Sequence, residues 1–452
     1  MNTLFARHAL LPQGWCDDVL LVWDADGTLL QVDAGSVAAG APCADFVVPG
    51  MVNLHSHSFQ RALAGRAEIA GPGPDSFWTW RDLMYRFARS ITPEQIEAIA
   101  AQLFSECLRH GYSAVCEFHY IHRDPAGAMY ARPAEMAQRV LAGARAAGIG
   151  ITMLPVLYSH AGFGAVPLKA EQQRFRTDVD DVLTLVQALQ PLRDGQTEIG
   201  AAPHSLRAAS TAQINTLAAA LPAGRPLHIH IAEQAPEVAQ CLAWSGRRPL
   251  QLLLDQVQID QRWCLVHATH LADDEVAGLA ASGAVAGLCP STEANLGDGL
   301  FPLAPYLQAG GRYGIGSDSH VSRSPVEELR WLEYGQRLLQ QRRNIAVSAG
   351  QRHVGDALWT GALAGGAQAC GRPVGALAVG RRADLLLLDA QHAALFNVTP
   401  QDVLGSLLFN GNDNLVRDVL VGGRWVVRDG RHVAQDVIAH RFRQAMAELW
   451  RA

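Results

Sequence analysis

From about residue 49 to 370 the chain alternates short apolar runs with helix-like stretches, and this alternation limits its possible folds more than any other feature. The helix-like stretches carry their own punctuation. Thr92 is a good N-cap, Pro93 suits the first helical turn, and Gly111 ends the pattern that runs from 93 to 110. A second such stretch, 136–147, closes at Gly148. The runs between helices read as strands at 113–118, 149–157, 198–202, 226–232, 263–267, 284–289 and 313–318. With the run before His55 they make eight β segments separated by helices. That order predicts an α/β fold, a parallel (β/α)8 TIM-like barrel.

The two ends of the chain have a different texture. Two apolar runs, 19–23 and 28–32, flank Asp24-Ala25-Asp26-Gly27, a hairpin signal. Near the other end, 383–389 reads as a buried strand, and 416–421 and 424–427 form a second hairpin around Gly422-Gly423. The expected layout is a small β-sandwich domain built from both termini, residues 1–47 with 373–435. It adjoins a catalytic barrel over 48–372 and is followed by a C-terminal helix over 436–452.

Polar residues fall where a barrel would use them. His55 and His57, Glu117 and His119, His204, His230 and Glu233, His267, and Asp318 all sit at C-terminal ends of predicted strands. In a barrel those ends converge on one face, where active sites lie. His55 and His57 are two apart, so on a strand both imidazoles point the same way. Three imidazoles and a carboxylate can hold one divalent metal and leave a position for water. His55, His57, His230 and Asp318 are the expected ligands, and Zn2+ is the expected ion. Such an ion lowers the pKa of its water to roughly 7. Asp318 can also take the water's proton. Glu233, three residues past His230, can deliver a proton to a leaving group. His267 can stabilise a developing tetrahedral centre. His228 points with His230 on a regular strand and is the alternative ligand; His270 and His320 flank the site in sequence.

Composition removes several rival classes. A net charge of −6 supplies no basic stripe for nucleic acid. No apolar run approaches a membrane span, and the N-terminus has no secretory pattern, so the cytoplasm is expected. The eight cysteines contain no Cys-x-x-Cys pair and read as inert thiols. Lys169 is the single lysine and lies in a polar, loop-like stretch. A two-metal centre bridged by a carboxylated lysine is therefore not expected.

These pieces resemble the amidohydrolase superfamily. The likeness is carried by Pro49-Gly50-Met51-Val52-Asn53-Leu54-His55-Ser56-His57, His230-Ile231-Ala232-Glu233, His267, Ser317-Asp318 and Val379-Gly380-Arg381-Arg382-Ala383-Asp384-Leu385. Within it the chain is similar to the formimidoylglutamate deiminase family. The carrying segments are Ser58-Phe59-Gln60-Arg61-Ala62-Leu63-Ala64-Gly65, Phe77-Trp78-Thr79-Trp80-Arg81, Glu117-Phe118-His119-Tyr120, Tyr158-Ser159-His160-Ala161-Gly162-Phe163-Gly164 and Pro203-His204-Ser205-Leu206-Arg207. That resemblance implies hydrolytic deimination of a small molecule, N-formimino-L-glutamate. It implies that Gln60, Arg81, Tyr120, His204 and Arg207 hold the substrate, and that the protein is a homodimer. An arginine such as Arg207 suits a substrate carboxylate, because its planar fork forms charge-assisted pairs. Two other readings stay open: another one-metal deaminase acting on guanine, cytosine or an adenosine derivative, and a catalytically silent metal-binding relative.

Overall fold

The computed structural model describes residues 1–70, 77–348 and 350–451. Eight parallel strand positions follow one another around a closed barrel: Met51–Ser56, Tyr112–His119, Gly150–Leu157, a fourth split into Thr197–Ile199 and Ala202–Pro203, then Leu227–Ile231, Trp263–His267, Val285–Leu288 and Arg312–Ile315. Two short pairings close the ring, Ala201 with Leu227 and Ile315 with Asn53. The predicted barrel is thus present, with strands within a few residues of their expected bounds.

The helix Pro93–His110 shows how local chemistry sets an element. Thr92 accepts from Gln95 N at 3.2 Å while Gln95 Oε1 accepts from Thr92 N at 3.1 Å. Such a reciprocal cap contributes about 1 kcal/mol. Gly111 then takes a left-handed φ of 105° and turns the chain into the second strand.

Five helices of eight or more residues or of site-forming position arise where the sequence reading placed none: Phe77–Ala88, Ala235–Ser245, Pro290–Leu296, Pro325–Gln340 and Val354–Cys370. The last of these plugs the N-terminal mouth of the barrel. Thr152 Oγ1 donates to Cys370 O at 2.7 Å and His228 Nε2 donates to Ala369 O at 2.9 Å. The opposite mouth is left for chemistry.

Both termini contribute to one eight-stranded sheet. Its order is Arg431–His432, Arg424–Arg428, Val416–Val421, Leu385–Leu388, Cys43–Pro49, Asn2–Leu11, Gly14–Trp23 and Leu29–Asp33. Alternation divides its side chains between two cores. Phe46, Val48, Leu386 and Leu388 join the barrel core, while Val47, Leu385 and Leu387 join a second core with Leu4, Leu21 and Trp23. Cys43–Pro49 passes through Gly50 into the first barrel strand. A Cβ at Gly50 would lie 2.3 Å from Ser113 Oγ, so only glycine fits that crossing. The last described helix, Gln435–Leu449, packs on Pro93–His110. All eight cysteines are free thiols, six of them buried. No described helix is long and apolar enough to cross a membrane.

Candidate active site

At the C-terminal mouth the first and eighth strands are sewn together, and the seam aims the acidic residue. Asp318 N donates to His55 O at 3.0 Å and His57 N donates to Asp318 O at 3.3 Å. Asn53 brackets Ser317, donating to its Oγ at 2.6 Å and accepting from its N at 2.9 Å. Ser317 Oγ meets His320 Nδ1 at 2.9 Å, and His320 Nε2 meets Ser56 Oγ at 3.4 Å. His320 is therefore a buried part of the seam. Glu117 lies on its other side, accepting from Ser56 Oγ and from both N and Oγ of Ser58. Glu117 and His119 are buried but do not line the cavity.

The backbone is bent sharply where the functional side chains emerge. Ala232, His267, Ala268, Asp318 and His320 all have positive φ, between 44° and 67°. Each such non-glycine residue costs about 1 kcal/mol or more, sustained by the surrounding packing.

Four donor atoms converge. His55 Nε2 lies 3.2 Å from His57 Nε2 and 3.0 Å from His230 Nε2. Asp318 Oδ1 is 3.4 Å from both His55 Nε2 and His57 Nε2. Metal–ligand bonds of about 2.0–2.2 Å in a tetrahedron place donors roughly 3.3–3.6 Å apart, so the separations of His57, His230 and Asp318 from His55 have the span of a coordination shell, with His55, His57 and Asp318 as one compact triad and His55, His230 and His267 as another. The tautomers fit as well. His57 Nδ1 donates to Phe118 O at 2.8 Å and His230 Nδ1 to His204 O at 3.0 Å, which leaves each Nε2 lone pair facing the centre. Burial pushes His55 down to about 3 and lowers His57 and His230, so all three imidazoles are neutral, as ligands must be. Burial raises Asp318, but the hydrogen bond with His55 and the charge of the nearby cationic His267 act against it and hold the carboxylate ionised. His228, by contrast, is tied to Ala369 O on the far side and offers nothing to this cluster.

A proton-handling chain adjoins it. His267 Nε2 lies 3.6 Å from Glu233 Oε1 and 3.9 Å from Asp318 Oδ2, and its Nδ1 lies 3.3 Å from Glu293 Oε1. Burial alone would lower His267, but Glu233, Glu293 and Asp318 surround it and lift it to about 10. Glu233 is pushed up to about 7 by burial, against the pull of His267 and Arg207. A carboxyl group poised there can both accept and return a proton near neutral pH.

The cavity above is lined by His57, Gln60, Arg81, Tyr120, His204, Arg207, His230, Glu233, His267 and Asp318, with His55 forming the floor beneath. Every sequence-predicted site residue is thus brought to one mouth. Gln60 Nε2 donates to Tyr120 Oη at 2.8 Å. Arg207 is only 8% exposed and its Nη2 lies 3.9 Å from Glu233 Oε2, which separates it from the solvated surface arginines. The side chains of Phe77 and Trp78, in the segment that precedes Arg81, lie outside the described residues. The sequence reading missed Tyr85, Tyr158 and Glu293. Tyr158 directly follows the third barrel strand, so the strand-end rule could have found it. Tyr85 stands four residues after Arg81 on one helix face, a relation visible only once that helix is known.

A family model described as Amidohydrolase family matches residues 46–426, and one described as Formimidoylglutamate deiminase HutF, N-terminal domain, matches residues 1–42. The chain is 56% identical over 451 residues to a curated formimidoylglutamate deiminase of Pseudomonas aeruginosa, covering 99% of this chain and 100% of that one. It is 29% identical over 421 residues to a 5-methylthioadenosine/S-adenosylhomocysteine deaminase of Natronomonas pharaonis, covering 89% and 86%. The crystal structure of an amidohydrolase from Brucella melitensis aligns over 100% of both chains with a TM-score of 0.95 and 43% identity. A zinc-bound adenosine deaminase from Xanthomonas campestris shares the fold, with a TM-score of 0.81 at 20% identity over 100% and 98% of the two chains.

Proposed function

The chain belongs to the amidohydrolase family, and on that premise we propose that it hydrolyses N-formimino-L-glutamate to N-formyl-L-glutamate and ammonia. The observation that carries the reading is the 56% identity, over the full length of both chains, to a formimidoylglutamate deiminase. The chemistry of the cavity supports it. The substrate has two carboxylates and an amidine. Arg81, Arg207 and His204 are the side chains a dicarboxylate wants, and they share the cavity with the His/Asp cluster. A neutral purine or pyrimidine ring has no use for two arginines. The adenosine-type relative described above is also far more distant.

His55, His57, His230 and Asp318 would hold one divalent metal, and the all-imidazole-and-carboxylate donor set suits Zn2+. When bound there, such an ion acts as a Lewis acid and brings the pKa of a water to about 7. The rest is the work of side chains. Asp318 accepts the proton of the attacking water. His267, cationic among its three carboxylates, faces the charge that develops as the formimino carbon becomes tetrahedral. Glu233 carries the proton to the departing nitrogen. Arg207, Arg81, His204, Tyr120 and Gln60 fix the dicarboxylate so that its amidine faces Asp318 and Glu233.

Ammonia release by the zinc-loaded protein, measured across a panel of formiminoglutamate, guanine, cytosine and 5-methylthioadenosine, tests the assignment. Turnover of formiminoglutamate alone is expected. Turnover confined to a nucleobase or nucleoside would overturn it.

A further inference from the structure

The outer wall of the cavity holds a hydrogen-bond cluster that the proposed reaction does not use. Tyr85 Oη and Tyr158 Oη are 3.1 Å apart, and both side chains are 5% exposed. Gln172, 2% exposed, lies behind them, with Nε2 at 2.9 Å from Tyr158 Oη and 3.4 Å from Tyr85 Oη. Its orientation is fixed, because Gln172 Oε1 accepts from Lys169 N at 3.0 Å. The amide hydrogens therefore point at the phenols.

Counting hydrogens gives a surplus of donors. The amide donates to both phenol oxygens, and one phenol hydroxyl donates to the other. One hydroxyl hydrogen remains, and among the described residues no carbonyl or carboxylate accepts from either phenol. A buried donor without an acceptor costs free energy until something supplies one. The surroundings are cationic. The Arg81 guanidinium sits 5.2 Å from the Tyr85 ring centroid, and Arg207 and Arg81 both exert positive potential at Tyr158. A spare donor in cationic surroundings suits an anionic acceptor.

Its place along the substrate follows from the ring contacts. Outward from the donor cluster they run from His230 to His204 at 4.9 Å, then to Tyr158 at 4.7 Å, and through the phenol pair to Tyr85. Along this path the pair lies furthest from the His/Asp cluster. We propose that Tyr85 and Tyr158, oriented by Gln172, receive the side-chain carboxylate of the substrate and so select a dicarboxylate over a monocarboxylate. This rests on the dicarboxylate substrate assigned above.

Two experiments on the zinc-loaded, full-length protein test it. In the first, Y85F/Y158F is compared with wild type on N-formimino-L-glutamate and N-formimino-L-norvaline, which lacks the side-chain carboxylate. The double variant is expected to raise KM for the glutamate derivative about tenfold or more, since hydrogen bonds to charged groups are the strong ones. Its kcat/KM for the norvaline derivative is expected to stay within about twofold of wild type. Equal losses on both compounds, or no loss on the glutamate derivative, would overturn the proposal. The second uses no turnover. Glutarate should raise the melting temperature of wild type more than butyrate does, and the difference should vanish in Y85F/Y158F and in Q172E, with the ligand-free melting temperature as the check on folding. An undiminished glutarate effect in either variant would also overturn it. If wild type releases no ammonia from formiminoglutamate but keeps a glutarate effect that the variants lose, the activity assignment fails and the carboxylate site stands.

Discussion

Glu233 concentrates the site's chemistry in one side chain. It faces His267 on one oxygen and Arg207 on the other, and burial brings its carboxyl to about 7. Glu233→Gln keeps the shape and removes the proposed proton carrier. We expect kcat to fall by roughly 10²–10⁴-fold with zinc content unchanged by mass spectrometry. Preserved kcat would remove Glu233 from proton transfer. Glu293 acts one step away, holding His267 Nδ1 at 3.3 Å while accepting from Cys289 N at 2.9 Å. Glu293→Gln should lower kcat without raising KM, because it alters the charge and orientation of His267 and is not itself part of the cavity lining. At this scale the sequence was legible for residues at strand ends. His55, His57, His204, His230, Glu233, His267 and Asp318 could be placed from alternation and spacing, whereas Gln60, Arg81, Tyr120 and Arg207, and the substrate role of His204, rested on motif likeness. Glu293 and Tyr85 belong to helices whose pattern hid them.

The helix Pro325–Gln340 explains why some elements escaped the sequence reading. Its buried face mixes Glu328, Glu333 and Gln336 with Leu329 and Leu332, while Trp331, Tyr334, Leu338 and Leu339 face outward. Amphipathic reading assumes the opposite arrangement. The buried acids are satisfied by the chain: Glu328 accepts from Ser291 N and Oγ, and Glu333 accepts from Ile345 N and Ala346 N. The helix Val354–Cys370 was hidden differently. It is rich in glycine, a poor helix former, because it presses directly on the barrel; a Cβ at Gly365 would lie 1.9 Å from Tyr313 O. The acids of the first helix give a pH prediction. Burial pushes Glu328 up from 4.5 to about 8, so between those values the folded chain holds a proton that the unfolded chain has released. Stability must then fall as pH rises through that window. The urea midpoint should drop between pH 6 and pH 9, and the drop should shrink in Glu328→Gln. Equal drops in both proteins would contradict the assignment.

The whole molecule is an asymmetric barrel. One mouth is stoppered by the end of Val354–Cys370, and the other gathers the histidines, carboxylates and arginines into a single cavity. Which mouth gathers the site was readable from the sequence, since eight strand–helix alternations fix which ends converge, but the helix that stoppers the other mouth was not. What the sequence could not give is depth: which histidine of the pair His228 and His230 faces the site depends on the plug beneath, to which His228 is bonded. Dialysis against a chelator should abolish ammonia release, and zinc should restore it, while retained activity in the metal-free protein would exclude a role for the His/Asp cluster as a metal centre.

The central claim is that water attacks the formimino carbon and the terminal nitrogen leaves. Mass spectrometry of the products formed in ¹⁸O-labelled water tests it most directly. The account predicts one ammonia per turnover and N-formyl-L-glutamate carrying a single ¹⁸O in its formyl group. Formamide with L-glutamate, the products of breaking the other C–N bond, would contradict it.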